Sequence, residues 1–289
     1  MSSGLLPIAL CLVSAITVAA TNMFVKKGGD VLSTRLVMSI TMALCVLPLA
    51  PFIPLPSGAL WPALALSIVV HWIYQFAMIR SLHRGDLSLV FPVMRGLAPL
   101  LTAITAAIFL NESPGLIGWF GLLIATAALI VFALPEDELG AGKKLQNAAL
   151  FWAVVTAFGI ACYSVADTYG TRLSAQTGTV LTFIVWLFLF DWIGIAVANI
   201  WARKRSVLAD IQPCLKDGVI GGVLGTISYA AALLAFTMTN AANVTAIRET
   251  SVVFGAIFGV VFLRESFGKR RIVAAGILAA GLMLLEFAP

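Results

Sequence analysis

The sequence predicts an all-α integral membrane protein of ten transmembrane helices, built as two inverted-topology five-helix repeats around a central cavity. Three observations predict it. Of 289 residues, 61% are hydrophobic and 11% charged, where a soluble domain carries roughly a quarter charged residues. No Asp, Glu, Lys or Arg occurs between Arg35 and Arg80, or from Gly218 to Ile247, and about 20 apolar helical residues suffice to cross a bilayer core. The chain also repeats itself: Phe109 begins FLNESPG, and Phe262, 153 residues on, begins FLRESFG.

Apolar runs separated by charged or turn-forming clusters place the spans at about 4 to 25, 32 to 53, 60 to 80, 87 to 110, 115 to 134, 147 to 168, 178 to 202, 216 to 237, 240 to 263 and 270 to 287. The first is read as a retained helix rather than a cleaved signal, because no basic segment precedes it and the apolar run continues to Val25. The charge-free stretch after Arg35 is too long for one crossing, and PLAPFIPLPSGALWP, holding five prolines from Pro48 to Pro62, marks the turn inside it. No segment alternates apolar and polar residues as a membrane β-barrel strand does. Gly218 to Gly222, Gly221 to Gly225 and Gly255 to Gly259 carry the small-residue spacing of close helix packing. Cys11, Cys45, Cys162 and Cys214 are widely separated and read as small packing residues.

The net charge of +5 follows topology. Of 18 Lys and Arg, fifteen fall in or beside alternate connections: Lys26, Lys27, Arg35; Arg80, Arg84; Lys143, Lys144; Arg203, Lys204, Arg205, Lys216; Arg264, Lys269, Arg270 and Arg271. Arg172 falls on the opposite side. Short basic loops remain cytoplasmic, so both termini are expected to be non-cytoplasmic. The basic clusters are thereby explained without nucleic acid.

The repeat gives the domain plan: a first five-helix unit at 1–134, a polar linker at 135–146, and a second five-helix unit at 147–289. Five is odd, so the two units enter the membrane from opposite faces, the architecture of many secondary transporters, whose sites lie near mid-membrane. At the 153-residue shift Arg95 falls on Arg248 and Ala77 on Ala230.

Arg95 stands about eight residues into its helix, roughly 12 Å deep, and Arg248 about as deep from the other face. An arginine at a helix centre costs about 2.5 to 3.5 kcal/mol, so two of them call for a partner or a use. One reading is structural: Arg95 pairs with Glu249, and Arg248 bonds backbone freed by a broken helix. Snorkelling to the headgroups fits poorly at this depth. The functional reading is a polar central cavity where a guanidinium meets a carboxylate, phosphate or phosphonate. Pro92 and Pro99 are expected to bend the fourth helix around Arg95; the ninth has Thr245 and Val252 at the matching places.

Further polar groups are candidates for the same cavity. The third helix carries His71, Tyr74 and Gln75; the eighth carries Ser228 and Tyr229; the sixth carries Tyr163, Ser164 and Asp167; the first carries Thr21 and Asn22. Substrate contacts are assigned to Arg95, Arg248, Tyr74, Gln75, Ser228, Tyr229, Asn22 and Tyr163. Glu249, His71 and Asp167 are the candidates for proton coupling, since buried ionisable groups in spans mark proton pathways. Each has a plain structural reading: Glu249 as a fixed salt-bridge partner, His71 as the satisfied neighbour of one group, Asp167 as a solvated residue near a helix end. Asp191 has no assigned role. No nucleophile–base pair, metal cluster, ATP-binding loop or dinucleotide fingerprint stands out, so no enzyme activity, cofactor or metal is expected.

The stretches GDLSLVFPVMRGLAPLL from Gly85, FLNES from Phe109, AIRETSVVFGAIFGVVFLRES from Ala246, ATNMFVKKGGD from Ala20 and CYSVADTYGTRL from Cys162 resemble bacterial proteins of the drug/metabolite transporter superfamily, EamA type, along essentially the whole chain. The family's Gly-Glu-Arg-like turn is degenerate here, as Asn111-Glu112-Ser113 and Arg264-Glu265-Ser266. The resemblance implies a ten-helix basket with helices one, three, four, six, eight and nine around a cavity, alternating access, and export of amino acids, drugs, nucleotide sugars or other metabolites. It also implies a bacterial cytoplasmic (inner) membrane. Many members have cytoplasmic termini, the reverse of the charge count here.

The expected function is therefore secondary active transport, as an exporter, of a small anionic or zwitterionic metabolite such as an amino acid or organic phosphate. The partners would be that solute, the lipid bilayer and protons, with no nucleic acid, in a monomer or homodimer. A broad-specificity drug exporter, a lipid-phosphate flippase and a non-transporting structural or sensory subunit are the competing readings.

Overall fold

The computed structural model describes residues 5–82, 84, 87–133, 143–203, 207–254, 257 and 269–286. Their regular elements are all helical: α1 Leu5–Lys27, α2 Val31–Val46, α3 Leu60–Leu82, α4 Leu87–Phe109, α5 Gly115–Ala133, α6 Lys143–Thr177, α7 Val180–Arg203, α8 Val207–Ile211, α9 Leu215–Phe236, α10 Ala241–Arg248 and α11 Lys269–Glu286, with 3-10 turns at Leu47–Phe52 and Gln212–Cys214. Helices satisfy their own backbone polar groups, the requirement that lipid imposes. Six segments are long and apolar enough to span: Leu5–Val25, Val31–Phe52, Leu60–Ser81, Asn147–Thr177, Val180–Arg203 and Ala209–Phe236. Val93–Phe109, Gly115–Val131 and Gly276–Leu285 are shorter apolar helices among the described residues. The second FLRESFG motif and the Gly255 to Gly259 pair lie outside the described residues.

The chain forms two compact units, Met1–Trp72 with Ala166–Met238, and Ile73–Val165 with Thr239–Pro289. Each draws on both sequence repeats. The boundaries fall within α3, after Trp72, within α6, after Val165, and between α9 and α10, after Met238.

In the first unit, Gly29 takes a φ of +78° that ends α1, and Asp30 caps α2 by accepting the Leu32 N–H at 3.2 Å. Glycines then let α9 approach α2: a Cβ on Gly218 would stand 2.6 Å from Val37, and one on Gly222 2.5 Å from Thr41 Cβ and 2.8 Å from the Met38 carbonyl oxygen. The small-residue spacing is thus a packing device against α2. α1 meets α9 through Ser14 and Ser228, and Asn199 on α7 donates to the Leu32 carbonyl at 3.1 Å. Gly194 leaves room for the Trp72 ring, whose Nε1 donates to the Asp191 carbonyl at 3.1 Å.

In the second unit, α5 and α11 cross at Gly121 and Gly281, where a Cβ on Gly121 would lie 2.6 Å from the Gly281 carbonyl oxygen. Ala125, Ala128, Leu129, Val252, Ala274 and Leu278 close the core around that crossing. Asn111, at φ +55°, and Gly115, at φ +62°, turn the chain between α4 and α5. That turn points Glu112 at the start of α10, where its Oε2 accepts the Ala241 N–H at 3.0 Å. A carboxylate there offsets the partial positive charge of a helix N-terminus.

One expectation is corrected. The sixth span, expected to end near 168, is α6 and runs to Thr177, and Asp167, for which solvation near a helix end is the plain structural reading, is fully buried. The stretch after Asp167 stays helical, with the hydroxyls of Thr171 and Thr177 bonded to the carbonyls of Asp167 and Leu173, at 2.7 and 3.0 Å. With Pro92 and Pro99 inside it, α4 is a continuous helix from Leu87 to Phe109. The interruption falls in the ninth span, at Glu249 and Thr250, between α10 and the short turn of helix from Ser251 to Phe254. There the Thr250 hydroxyl donates to the Ile247 carbonyl at 2.7 Å, and the Glu249 N–H is shared between the carbonyls of Thr245 and Ala246. Such local bonds compete with the regular helical ladder.

Candidate functional site

The second unit holds the charged cluster. α4 carries Arg95, and the end of α10 carries Arg248 and Glu249. Arg95 Nη1 donates to Glu249 Oε1 at 3.0 Å, with the Arg95 side chain 14% exposed and the Glu249 side chain 1%. Arg248 is also buried, and both guanidiniums act electrostatically on the same carboxylate. Among these described residues, two guanidiniums face one carboxylate. Glu249 Oε2 is buried with no hydrogen-bond partner among the described residues, an acceptor able to take one more donor.

Aromatic groups complete this cluster. The rings of Tyr74 on α3 and Tyr163 on α6 meet edge to face, 5.0 Å between centroids at 64°. Gly159 permits it, since a Cβ there would lie 3.1 Å from Tyr74 Cβ. The Tyr74 hydroxyl donates to Met78 S at 3.5 Å, and both phenols fall within the field of Arg95. Gln75 is buried on α3 in the same unit.

The first unit holds a second polar group, of four side chains, of which Ser67, His71 and Asp167 are buried and Tyr229 is half-buried. His71 Nε2 on α3 lies 3.2 Å from Asp167 Oδ2 on α6 and 2.9 Å from the Tyr229 hydroxyl on α9. The Tyr229 hydroxyl donates to Asp167 Oδ2, and the Ser67 hydroxyl, one helical turn before His71, donates to Oδ1. The Phe188 ring stacks on Tyr229 at 6.0 Å and 29°, and the imidazole meets Tyr229 edge-on at 5.5 Å.

Of the residues expected to contact substrate, Arg95, Arg248, Tyr74, Gln75 and Tyr163 belong to the second unit with Glu249, while Tyr229 belongs to the first with His71 and Asp167. Ser228 is engaged with Ser14, donating to its carbonyl at 2.8 Å. Asn22 is half-buried on α1. Sequence reading missed Ser67, Ser14, Phe188 and the role of Glu112. For Ser67 a signal existed, because it precedes His71 by four residues and so shares its helix face.

This fold is that of a multi-pass membrane protein. The model of the EamA-like transporter family matches residues 5–134 and again 147–287. The chain belongs to that family and is a transporter of the drug/metabolite transporter superfamily. It is 23% identical over 219 residues to an uncharacterized transporter of Archaeoglobus fulgidus, covering 75% of this chain and 73% of that one. It is 22% identical over 245 residues to a WAT1-related chloroplastic protein of Arabidopsis thaliana, covering 81% of this chain and 57% of the plant protein. A solved crystal structure with 15% sequence identity superposes with a TM-score of 0.73, covering 96% of this chain and 95% of its own, which establishes likeness of fold.

Proposed function

We propose that this transporter exports a small anionic or zwitterionic metabolite, such as an amino acid or organic phosphate, by secondary active alternating access in a bacterial cytoplasmic membrane. The supporting observation is the charge balance around Glu249: Arg95 pairs with it at 3.0 Å, and Arg248, buried beside it, adds a second positive charge to one carboxylate. A buried excess of positive charge is stabilised by an anionic ligand, and guanidiniums bind carboxylate or phosphate bidentately. Tyr74 and Tyr163 supply aromatic surface for an apolar portion of the solute. A lipophilic cation would meet net repulsion in this cluster.

The test is transport in proteoliposomes loaded with glutamate, leucine or phosphoserine, comparing the native protein with Arg95→Ala and Arg248→Ala combined. Loss of flux in a variant that remains monodisperse and helical is the expected result. Undiminished flux would falsify the anion role.

A further inference from the structure

We infer that the Ser67–His71–Asp167–Tyr229 group of the first unit is the proton-carrying site of the transporter, holding one exchangeable proton on the His71 imidazole that is paired with Asp167. The inference rests on the transport reading but not on the identity of the solute.

Asp167 Oδ2, the Tyr229 hydroxyl oxygen and His71 Nε2 are mutually within hydrogen-bonding reach, at 3.2 Å and 2.9 Å for the two contacts of Nε2. The phenol contributes one proton, which it donates to the carboxylate. A second proton must therefore sit on Nε2 or on Oδ2, or else a nitrogen lone pair would face a carboxylate oxygen at 3.2 Å. With both ring nitrogens protonated the imidazolium and the carboxylate sum to zero; when the Nδ1 proton leaves and Nε2 keeps its own, the pair carries a single negative charge. Asp167 is 0% exposed and His71 7%, so each of these states is held in a low dielectric, where net charge is costly. A site that is neutral when loaded and charged when empty can carry a proton between two faces of a membrane.

The surrounding elements bring few competing charges. α7 contributes Asp191, whose main-chain carbonyl accepts Trp72 Nε1. Arg172 on α6 gives its Nε to the Phe236 carbonyl at 3.0 Å. α1, packed on α9, is uncharged from Leu5 to Val25 but carries the buried Cys11, and α2 is uncharged after Arg35. Ser67 and Tyr229 fix the orientation of the carboxylate, acting as positioning residues. Neither Arg95 nor Glu249 is required to move a proton in this scheme.

Two measurements decide it. The chain has two histidines, His71 and His83, so nitrogen-labelled histidine in a His83→Gln background gives one imidazole to follow by NMR in lipid. The expected result is a titration of His71 between about pH 5 and about pH 8 whose midpoint moves by about one pH unit or more in Asp167→Asn. A single unchanging protonation state across that range overturns the proposal.

The second measurement uses proteoliposomes with the membrane potential clamped at zero and a pH step imposed in either direction, with glutamate, leucine and phosphoserine as probes. One coupled proton supports about tenfold accumulation per pH unit. In Asp167→Asn, or in His71→Gln should the first misfold, accumulation is expected to fall about tenfold further than probe-for-probe exchange. Equal loss of both, or retained accumulation, contradicts the assignment. Should the native protein move none of the probes, the anion reading fails alone, and the NMR titration still decides the proton site.

Discussion

Arg95 and Glu249, 154 residues apart in the chain, form an ion pair at 3.0 Å in which the carboxylate is almost wholly buried. Removing Glu249 leaves two guanidiniums without their carboxylate, whereas removing Arg95 leaves Arg248 acting on it. Glu249→Gln alone is expected to lose about 3 to 5 kcal/mol of stability and Arg95→Gln alone less, and the double variant is expected to lose less than the sum. Thermal unfolding in detergent across the four proteins checks it; strict additivity would show that the two groups do not depend on each other.

The α2–α9 seam predicts opposite outcomes for two neighbouring glycines. At Gly222 an added Cβ would meet the Met38 carbonyl oxygen at 2.8 Å, backbone that cannot yield, while at Gly225 it would meet the flexible Met42 Sδ at 3.3 Å. Gly222→Ala is expected to cost about 1 to 3 kcal/mol and Gly225→Ala little. The melting temperatures of the two variants, measured side by side, test the ordering.

Glu112 gives the degenerate turn a physical role, because it bonds the first N–H of α10. Glu112→Ala is expected to destabilise by about 0.5 to 2 kcal/mol, and Glu112→Gln, which keeps an acceptor, by less. Equal melting of all three proteins would remove the capping role.

The features legible in the sequence are those that composition exposes directly. Arginine inside an apolar run, paired glycines at a four-residue spacing and a polar face on α3 all announce themselves, and each belongs to a buried contact. Helix ends are less visible: hydropathy falls after Asp167, yet α6 continues to Thr177. The break at Glu249 and Thr250 lies where no proline stands, whereas Pro92 and Pro99 lie within the continuous α4. A hydroxyl captured by a carbonyl one turn back leaves no mark on composition, whereas proline does. The Ser14–Ser228 and Ser67–Asp167 contacts join residues 214 and 100 positions apart, and nothing local in the chain encodes such pairings.

The central claim is that a negatively charged solute group docks at the arginines of the second unit. Its most direct measurement is a thermal-shift titration of the purified protein with phosphoserine, glutamate, leucine and tetraphenylphosphonium, repeated with Arg248→Gln. Stabilisation by phosphoserine, glutamate or zwitterionic leucine that disappears in the variant is the predicted result. Stabilisation by the phosphonium cation alone, unchanged in Arg248→Gln, would contradict it.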